Sequence, residues 1–169
     1  MKKQFGITLL ITFLFSTQVS AATPQVLGEY GDWTAYIYKD GRGSVCYMVS
    51  KPKKDEGKYS KRGDIYAVVT HRPAEKSFDV VNFDAGYTFK NGAPFIVKIG
   101  HNTVTSFFTD GEKAWTLDGD TDKKMVNLMK GGERMIVDGV SSKGTKTKDT
   151  YSLKGFTGAY KAISAKCKK

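Results

Sequence analysis

In residues 31–50, GDWTAYIYKDGRGSVCYMVS, the side chains alternate in character on both sides of a glycine-rich turn. From Trp33 to Ile37 every second residue is apolar, a period that predicts a β-strand with one face toward a core. The turn at residues 40–43, DGRG, contains residues that tolerate positive φ, so the chain returns as a second strand over residues 44–50. The stretch therefore predicts a β-hairpin.

Further short strands are expected after this hairpin, because apolar runs with β-forming residues recur between turn-forming residues. They lie at residues 64–70, 78–83, 95–99, 103–109, 114–117, 134–140 and 150–153. Residues 51–63 are interpreted as a polar loop. Nine short strands in succession favour an all-β sandwich or barrel, since a parallel sheet would need a helix after almost every strand.

Two stretches depart from the strand pattern and predict helices. Met125, Leu128 and Met129 lie at helical spacing within residues 120–130. We expect Asp120 or Thr121 to cap the start of this helix and the glycine pair at residues 131–132 to end it in the left-handed conformation.

The second predicted helix is C-terminal, because Phe156, Tyr160, Ile163 and Cys167 recur at helical spacing and form one apolar stripe. Such a stripe requires the helix to dock on the sheet. The expected fold class is a single-domain all-β protein, sandwich- or barrel-like, with one short internal helix and a C-terminal helix.

The N-terminus has the features of a secretory signal peptide. Lys2 and Lys3 precede an apolar run, and residues 19–21, VSA, supply the small residues that a signal peptidase needs. The run is about eleven residues long, against roughly 20 for a membrane-spanning helix, and no later run approaches that length. We expect cleavage after Ala21, one domain over residues 22–169 without a transmembrane segment, and a periplasmic, outer-membrane-associated or secreted protein.

The chain contains two cysteines, Cys46 and Cys167, one toward each end of the expected mature protein. Exported proteins fold in oxidising compartments, where an even number of widely spaced cysteines favours a disulfide. We predict one bridge, from the first hairpin to the C-terminal helix. Two free thiols, or pairing with another molecule, are the alternatives.

The charge of the chain is strongly basic. The full chain carries a net charge of +10, of which Lys2 and Lys3 supply two, so the mature protein keeps +8. Half of this excess lies in one loop, whose candidate polyanion-binding residues are Lys51, Lys53, Lys54, Lys58, Lys61 and Arg62. A second basic run contains Lys143, Lys146 and Lys148.

Clusters of this kind attract lipopolysaccharide, anionic phospholipid or host glycans through fields that salt weakens. The alternative interpretation is a solvated rim that keeps an exported domain soluble. Nucleic acid is not expected as a partner, because export separates the protein from cellular DNA and RNA, and few aromatic residues accompany the lysines.

Residues suited to catalysis are sparse. Only two histidines occur: His71 is expected to bond to backbone at the end of a strand, and His101 lies in a turn. Neither has a second histidine at metal-binding spacing, so no metal site is predicted. Residues 141–143, SSK, resemble a nucleophile elbow only loosely, and a serine–lysine pair there is a remote alternative. We predict no catalytic residue and no cofactor.

One long stretch of the sequence resembles a known family. Residues 139–155, GVSSKGTKTKDTYSLKG, followed by Cys167, together with residues 31–33, GDW, resemble the invasion-associated locus B family. The resemblance extends from Gly28 to Cys167. It implies an exported bacterial protein, periplasmic or outer-membrane-associated, with no established activity or cofactor. The family is named after members linked to host-cell entry, and it also occurs in bacteria without an invasive habit.

We therefore expect an exported, non-enzymatic envelope protein of the invasion-associated type that assists host-cell interaction. A binding module for anionic envelope or host glycans and lipids, acting through the basic loop, is the second hypothesis. An unrecognised hydrolase is the third. The residues give no basis for choosing an oligomeric state.

Overall fold

The computed structural model describes residues 23–168, so the predicted signal peptide lies outside the described residues. They form twelve strands, two α-helices and a one-turn 3₁₀ helix at Pro73–Glu75. The elements are β1 (Gln25–Tyr30), β2 (Trp33–Asp40), β3 (Gly43–Ser50), β4 (Lys54–Gly57), β5 (Tyr66–Arg72), β6 (Ser77–Asp84), β7 (Ile96–Ile99), β8 (Asn102–Val104), β9 (Phe107–Asp110), β10 (Lys113–Thr116), α1 (Gly119–Gly131), β11 (Arg134–Val140), β12 (Lys146–Ser152) and α2 (Phe156–Lys166).

The strands form two antiparallel sheets. The larger has seven strands in the order β1-β2-β3-β5-β6-β10-β9, and the smaller has five in the order β4-β12-β11-β7-β8. Buried side chains of both sheets belong to one core cluster, so the fold is the β-sandwich expected from the sequence.

The predicted hairpin of β2 and β3 lies inside the larger sheet. The register pairs Ile37 with Cys46, and Cys46 in turn with His71 on β5. Cross-strand partners share a face, so these three side chains point into the sandwich. On the outward face, Tyr36 stacks on Tyr47 with ring centroids 5.1 Å apart.

The inner strand expected over residues 150–153 begins four residues earlier, at Lys146, and at the sheet edges the sequence-based strands differ from the structure at three places. β1 was not predicted, and β4 lies within residues 51–63, which were interpreted as loop. The single strand expected over residues 103–109 is divided between β8 and β9, which belong to different sheets. In each case the segment is an edge strand, and alternation is weak because such strands are largely solvent-exposed.

Trp33 is the point where the two sheets and α2 meet. Its indole Nε1–H donates to the backbone oxygen of Ser152 on β12 at 3.0 Å. Its ring also packs edge-on against Phe156 of α2, with centroids 4.9 Å apart. Trp33 is 1% exposed, so this contact lies fully within the core.

The first helix is confirmed, but its ends differ from the prediction. Asp118 is the N-cap, and its carboxylate accepts from the backbone N–H of Thr121 at 2.7 Å. At the other end Gly132 is extended, with φ −94°, so the predicted left-handed termination is wrong. A Cβ at Gly132 would lie 2.6 Å from the side chain of Ile99. Glycine is required there for close packing and not for positive φ.

The predicted disulfide is present. Cys46 on β3 is bonded to Cys167, directly after α2, with their Cα atoms 6.0 Å apart. The helix has a second attachment, because the Tyr160 hydroxyl donates to Asp79 Oδ1 at 2.6 Å. The C-terminal helix is thus held against the inner face of the larger sheet by one covalent bond and one buried hydrogen bond.

Removing the bridge with Cys46→Ala and Cys167→Ala is expected to lower the free energy of unfolding by roughly 4 to 5 kcal/mol. The reason is that the bridge closes a loop of 121 residues in the unfolded chain. Guanidinium unfolding of the oxidised protein measures the loss, and wild type in reductant is the matched control. Equal stability of the double variant and oxidised wild type would contradict the prediction.

Candidate anion-binding surface

The outward face of the smaller sheet carries exposed lysines because β12 alternates strictly. Lys146 and Lys148 are exposed, whereas the intervening Thr147 and the following Asp149 are buried. A strand places successive side chains on opposite faces, so the same seven residues supply a polar exterior and a packed interior.

Strand β4 extends this face at the edge of the sheet. The register pairs Glu56 with Lys148 and Lys54 with Thr150, so the side chains of Lys54 and Glu56 lie beside those of β12. Lys58 follows β4 directly. We use "basic face" for the surface formed by β4, β12 and the loops that follow β4 and β11, with the lysines Lys54, Lys58, Lys61, Lys143, Lys146 and Lys148.

Most lysines of the basic face have no acidic partner. Lys54 pairs with Glu56 at 2.8 Å, and this hydrogen bond, with the nearby charges of Lys54 and Lys148, lowers the pKa of the Glu56 carboxyl. The other five lysines make no ion pair with any of residues 23–168. The basic face therefore carries a local excess of positive charge.

An open groove of about 960 Å³ crosses the basic face. Lys58, Lys143, Lys146 and Lys148 line it, and Ile96 and Val140 contribute to its apolar floor. Asp138 also lies in the groove, where Lys98 of β7 neutralises it through an ion pair of 2.7 Å. Glu56 also lines the groove and is paired with Lys54, so within the described chain the four lysines are the unpaired charges of this concave surface.

A smaller cavity of about 310 Å³ lies beside the groove, between residues 58–62 and residues 141–145. We refer to it as the hairpin cavity. Lys58, Lys61 and Lys143 contribute to its lining, together with Tyr59 and Tyr87. Lys58 and Lys143 line both the groove and the cavity, so the two spaces share a rim.

Arg62 forms the inner wall of the hairpin cavity. Its Nη1 and Nη2 each donate to a carboxylate oxygen of Asp149 at 2.6 Å, and its Nε donates to the backbone oxygen of Ala85 at 2.7 Å. The side chains of Arg62 and Asp149 are only 3% and 5% exposed. Burial alone would lower the pKa of Arg62, but the hydrogen bonds and charge of Asp149 outweigh it and raise the pKa, so the guanidinium stays charged.

Tyr87 fills the space beside this ion pair. The Arg62 guanidinium lies over its ring, 4.9 Å from the centroid, and its hydroxyl bonds to Thr147 Oγ1 at 2.7 Å. A Cβ at Gly139 would lie 2.4 Å from the Tyr87 hydroxyl oxygen. The glycine within β11 therefore leaves room for the tyrosine that supports the cavity wall.

The structure separates the six predicted polyanion-binding residues into three groups. Lys51 pairs with Asp64 at 3.2 Å, and Lys53 pairs with Asp32. Lys54, Lys58 and Lys61 belong to the basic face. Arg62 is turned inward, where its guanidinium is bound by Asp149 and has almost no contact with solvent. Polyanion binding by the exposed lysines stays a prediction, and Arg62 serves the scaffold beneath them.

Three lysines of the basic face, Lys143, Lys146 and Lys148, form a second basic run that lies about 80 residues or more after the first along the chain. Their juxtaposition depends on the pairing of β4 with β12. Because β4 lies in a stretch with the composition of a loop, no local signal in the sequence reveals that pairing.

His71 lies in an arrangement that resembles a serine–histidine–aspartate triad. Its Nε2 is 3.1 Å from Ser164 Oγ, and its Nδ1 is 4.0 Å from Asp79 Oδ1. However, Nδ1 accepts the backbone N–H of Asp79 at 3.1 Å, which leaves the proton of a neutral imidazole on Nε2. Nε2 then donates to Ser164 and has no lone pair with which to activate it. The backbone bond is the one expected from the sequence.

The other residues considered for catalysis are either hydrogen-bonded within the fold or exposed to solvent. Ser141 is buried, and its hydroxyl accepts from the backbone N–H of Thr145 at 3.2 Å, while Ser142 and His101 are exposed. Among residues 23–168, no three histidine, cysteine or acidic side chains converge as metal ligands.

None of the described helices has the length and apolar character needed to cross a membrane.

The buried ion pair yields a stability prediction. Arg62→Met strands the Asp149 carboxylate in the interior and is expected to cost about 3 to 5 kcal/mol of unfolding free energy. Arg62→Met combined with Asp149→Leu removes both charges and is expected to cost less than the single variant. Denaturant unfolding measures both.

The surface pair of Lys98 and Asp138 provides the control, because Lys98→Met is expected to cost under about 1 kcal/mol. If Arg62→Met cost no more than this control, the buried pair would not be a structural support of the fold.

Comparison with known families supports the resemblance seen in the sequence. The family model described as Invasion associated locus B (IalB) protein matches residues 33–164, which include the basic face and the hairpin cavity. No curated protein and no solved structure matches the chain. Because the family model covers most of the sequence, this protein belongs to the invasion associated locus B (IalB) family.

Proposed function

We propose that this protein is an exported, non-catalytic component of the bacterial envelope that binds phosphate-, sulfate- or carboxylate-bearing glycans or lipids through its basic face. The observation that carries the proposal is the group of five lysines without ion pairs within the described chain, gathered on one side of the smaller sheet. Arg62 is not part of the binding surface, because its charge is matched by Asp149.

The shape of the basic face supports binding of an extended anion. Charges that line a concave surface over a low-dielectric wall produce a stronger field than the same charges dispersed in solvent. Four lysines line one groove of about 960 Å³, which suits a polymer chain or a row of headgroups. Such attraction weakens as salt shortens the Debye length.

Support for export comes from residues 1–21, whose two lysines, apolar run and small C-terminal residues are typical of a cleaved signal peptide. The disulfide between Cys46 and Cys167 is consistent with an oxidising compartment.

Support for a non-catalytic role comes from His71, the one buried histidine, whose hydrogen bonds leave Ser164 without a base. A hydrolase activity of the purified protein that Ser142→Ala removes would overturn this part of the proposal, since Ser142 is the exposed serine of the hairpin loop.

A role in contact with host cells is the second candidate, and it is favoured by the name of the family. Sulfated and sialylated host glycans present the same chemistry as envelope polyanions, so the basic face would serve either partner. The two are distinguished by comparing binding to lipopolysaccharide with binding to heparan sulfate under identical salt.

Export makes a direct prediction. The protein recovered from the periplasm or culture medium is expected to begin at Ala22, as determined by mass spectrometry of the intact chain. Ala21→Arg, which replaces the small residue before the cleavage site, is the control and should retain the full N-terminus. Recovery of wild-type protein that still begins at Met1 would contradict export by signal peptidase.

Binding through the basic face is tested by Lys146→Gln combined with Lys148→Gln. Because an anionic bilayer attracts each nearby lysine with about 1 kcal/mol, two neutralised lysines should weaken binding to phosphatidylglycerol-containing vesicles about 30-fold at low salt. Vesicles of phosphatidylcholine alone measure the uncharged background.

The matched control is Lys161→Gln combined with Lys166→Gln, which removes the same charge from exposed positions on α2, the helix that packs against β1, β2 and β3. Its binding should remain close to wild type. Equal weakening by both variants would mean that net charge alone drives binding, and affinity insensitive to salt would also count against the proposal.

A further inference from the structure

We infer that the hairpin cavity is a specific site for one anionic sugar unit, a monosaccharide bearing a phosphate or carboxylate group, such as the end of the polyanion that the basic face holds. The inference rests on the proposed function and adds a ligand class to it. Its basis is the juxtaposition of a bounded cavity, unpaired lysines and hydroxyl groups in one place.

The size of the cavity suits a small molecule. Its volume of about 310 Å³ lies at the lower end of the range for ligand pockets, roughly 300 to 1,000 Å³. The adjoining groove is about three times larger and more open, so it suits an extended chain. Lys58 and Lys143 line both spaces, which allows one polymer to occupy the groove and place its end in the cavity.

The charge of the cavity favours an anion. Within the described chain, every ionised side chain that lines it is a lysine or Arg62, and no carboxylate is among the lining groups. The charge of Arg62 is matched by Asp149 behind the wall. Lys58, Lys61 and Lys143 have no ion-pair partner within residues 23–168, so their charge is available to a ligand.

Hydroxyl groups distinguish this cavity from a simple cluster of lysines. Exposed Ser60, Thr88 and Ser142 contribute to the lining and can both donate to and accept from sugar hydroxyls. Tyr59 and Tyr87 add half-buried rings, each with the Arg62 guanidinium over it, and the ring surface that remains open to the cavity can contact the apolar face of a sugar. A bare inorganic anion would bond to the lysines and to nearby hydroxyls but is too small to contact the rings as well.

Hydrogen bonds hold the cavity walls in place before any ligand arrives. The Ser142 backbone N–H donates to the Thr88 oxygen at 2.7 Å, and Gly144 closes the hairpin turn by donating to the Ser141 oxygen at 2.7 Å. On the opposite wall the Tyr59 hydroxyl donates to Asp55 Oδ2 at 2.6 Å. Binding to such preorganised walls loses little conformational entropy, so a small ligand can bind measurably.

The test is calorimetric titration of the mature, oxidised protein with glucose 6-phosphate, inorganic phosphate and glucose. Glucose 6-phosphate is expected to bind at least about ten-fold more tightly than either of the other two, because it alone combines a charge for the lysines with a sugar ring that contacts the hydroxyls and the tyrosine rings. Equal affinity for glucose 6-phosphate and inorganic phosphate would overturn the inference.

Thr88→Trp fills the cavity without changing charge and is expected to weaken glucose 6-phosphate binding at least about ten-fold, as is the independent variant Ser142→Trp. Thr103→Trp, at an exposed position of β8, is the matched control and should bind like wild type. Unchanged affinity in folded Thr88→Trp and Ser142→Trp would show that the ligand binds elsewhere, which would overturn the inference.

The two proposals fail in different ways. Thr88→Trp should keep the vesicle binding that Lys146→Gln with Lys148→Gln weakens, because the groove lies outside the cavity. Vesicle binding without sugar-phosphate binding would overturn only the cavity site. Sugar-phosphate binding without vesicle or polyanion binding would overturn the proposed function and leave an isolated anion site.

Discussion

The two hydrogen bonds from Arg62 to Asp149 are the interaction on which the rest of the site depends. Both side chains are nearly inaccessible to solvent, and Arg62 also donates to the backbone oxygen of Ala85, directly after β6 of the larger sheet. One guanidinium thus joins the segment after β4, the central region of β12 and the chain that leaves an inner strand of the opposite sheet. A buried arginine without this carboxylate would be strongly unfavourable, so the pair fixes the position of the whole segment.

This constraint determines which positive charges of the basic loop are buried and which are exposed. With Arg62 fixed inside, the neighbouring Lys58 and Lys61 remain at the surface, beside the hairpin loop between β11 and β12. The alternation of β12 likewise places Lys146 and Lys148 at the surface, because Asp149 faces inward. The pairing of β4 with β12 therefore accompanies a separation of charges, with Arg62 in the interior and the lysines at the surface.

Much of this architecture was accessible from the sequence, and the exceptions have physical causes. The alternation around Trp33, the helical spacing of residues 156–167 and the two cysteines predicted the hairpin, α2 and the bridge between them, because each signal is local or unique. Arg62, in contrast, is indistinguishable in sequence from the lysines before it. Its partner lies 87 residues away, and only the pairing of β4 with β12 brings the two together.

The proposed function requires one anion-binding surface on β4, β12 and the hairpin loop. Amide chemical-shift mapping during titration with a lipopolysaccharide-derived oligosaccharide locates that surface, because every backbone position reports at once. We expect shifts concentrated in residues 54–62 and 141–148, and their loss as salt is raised. Shifts concentrated instead on the tyrosines of the outward face of the larger sheet, or on the lysines of α2, would contradict the proposed function.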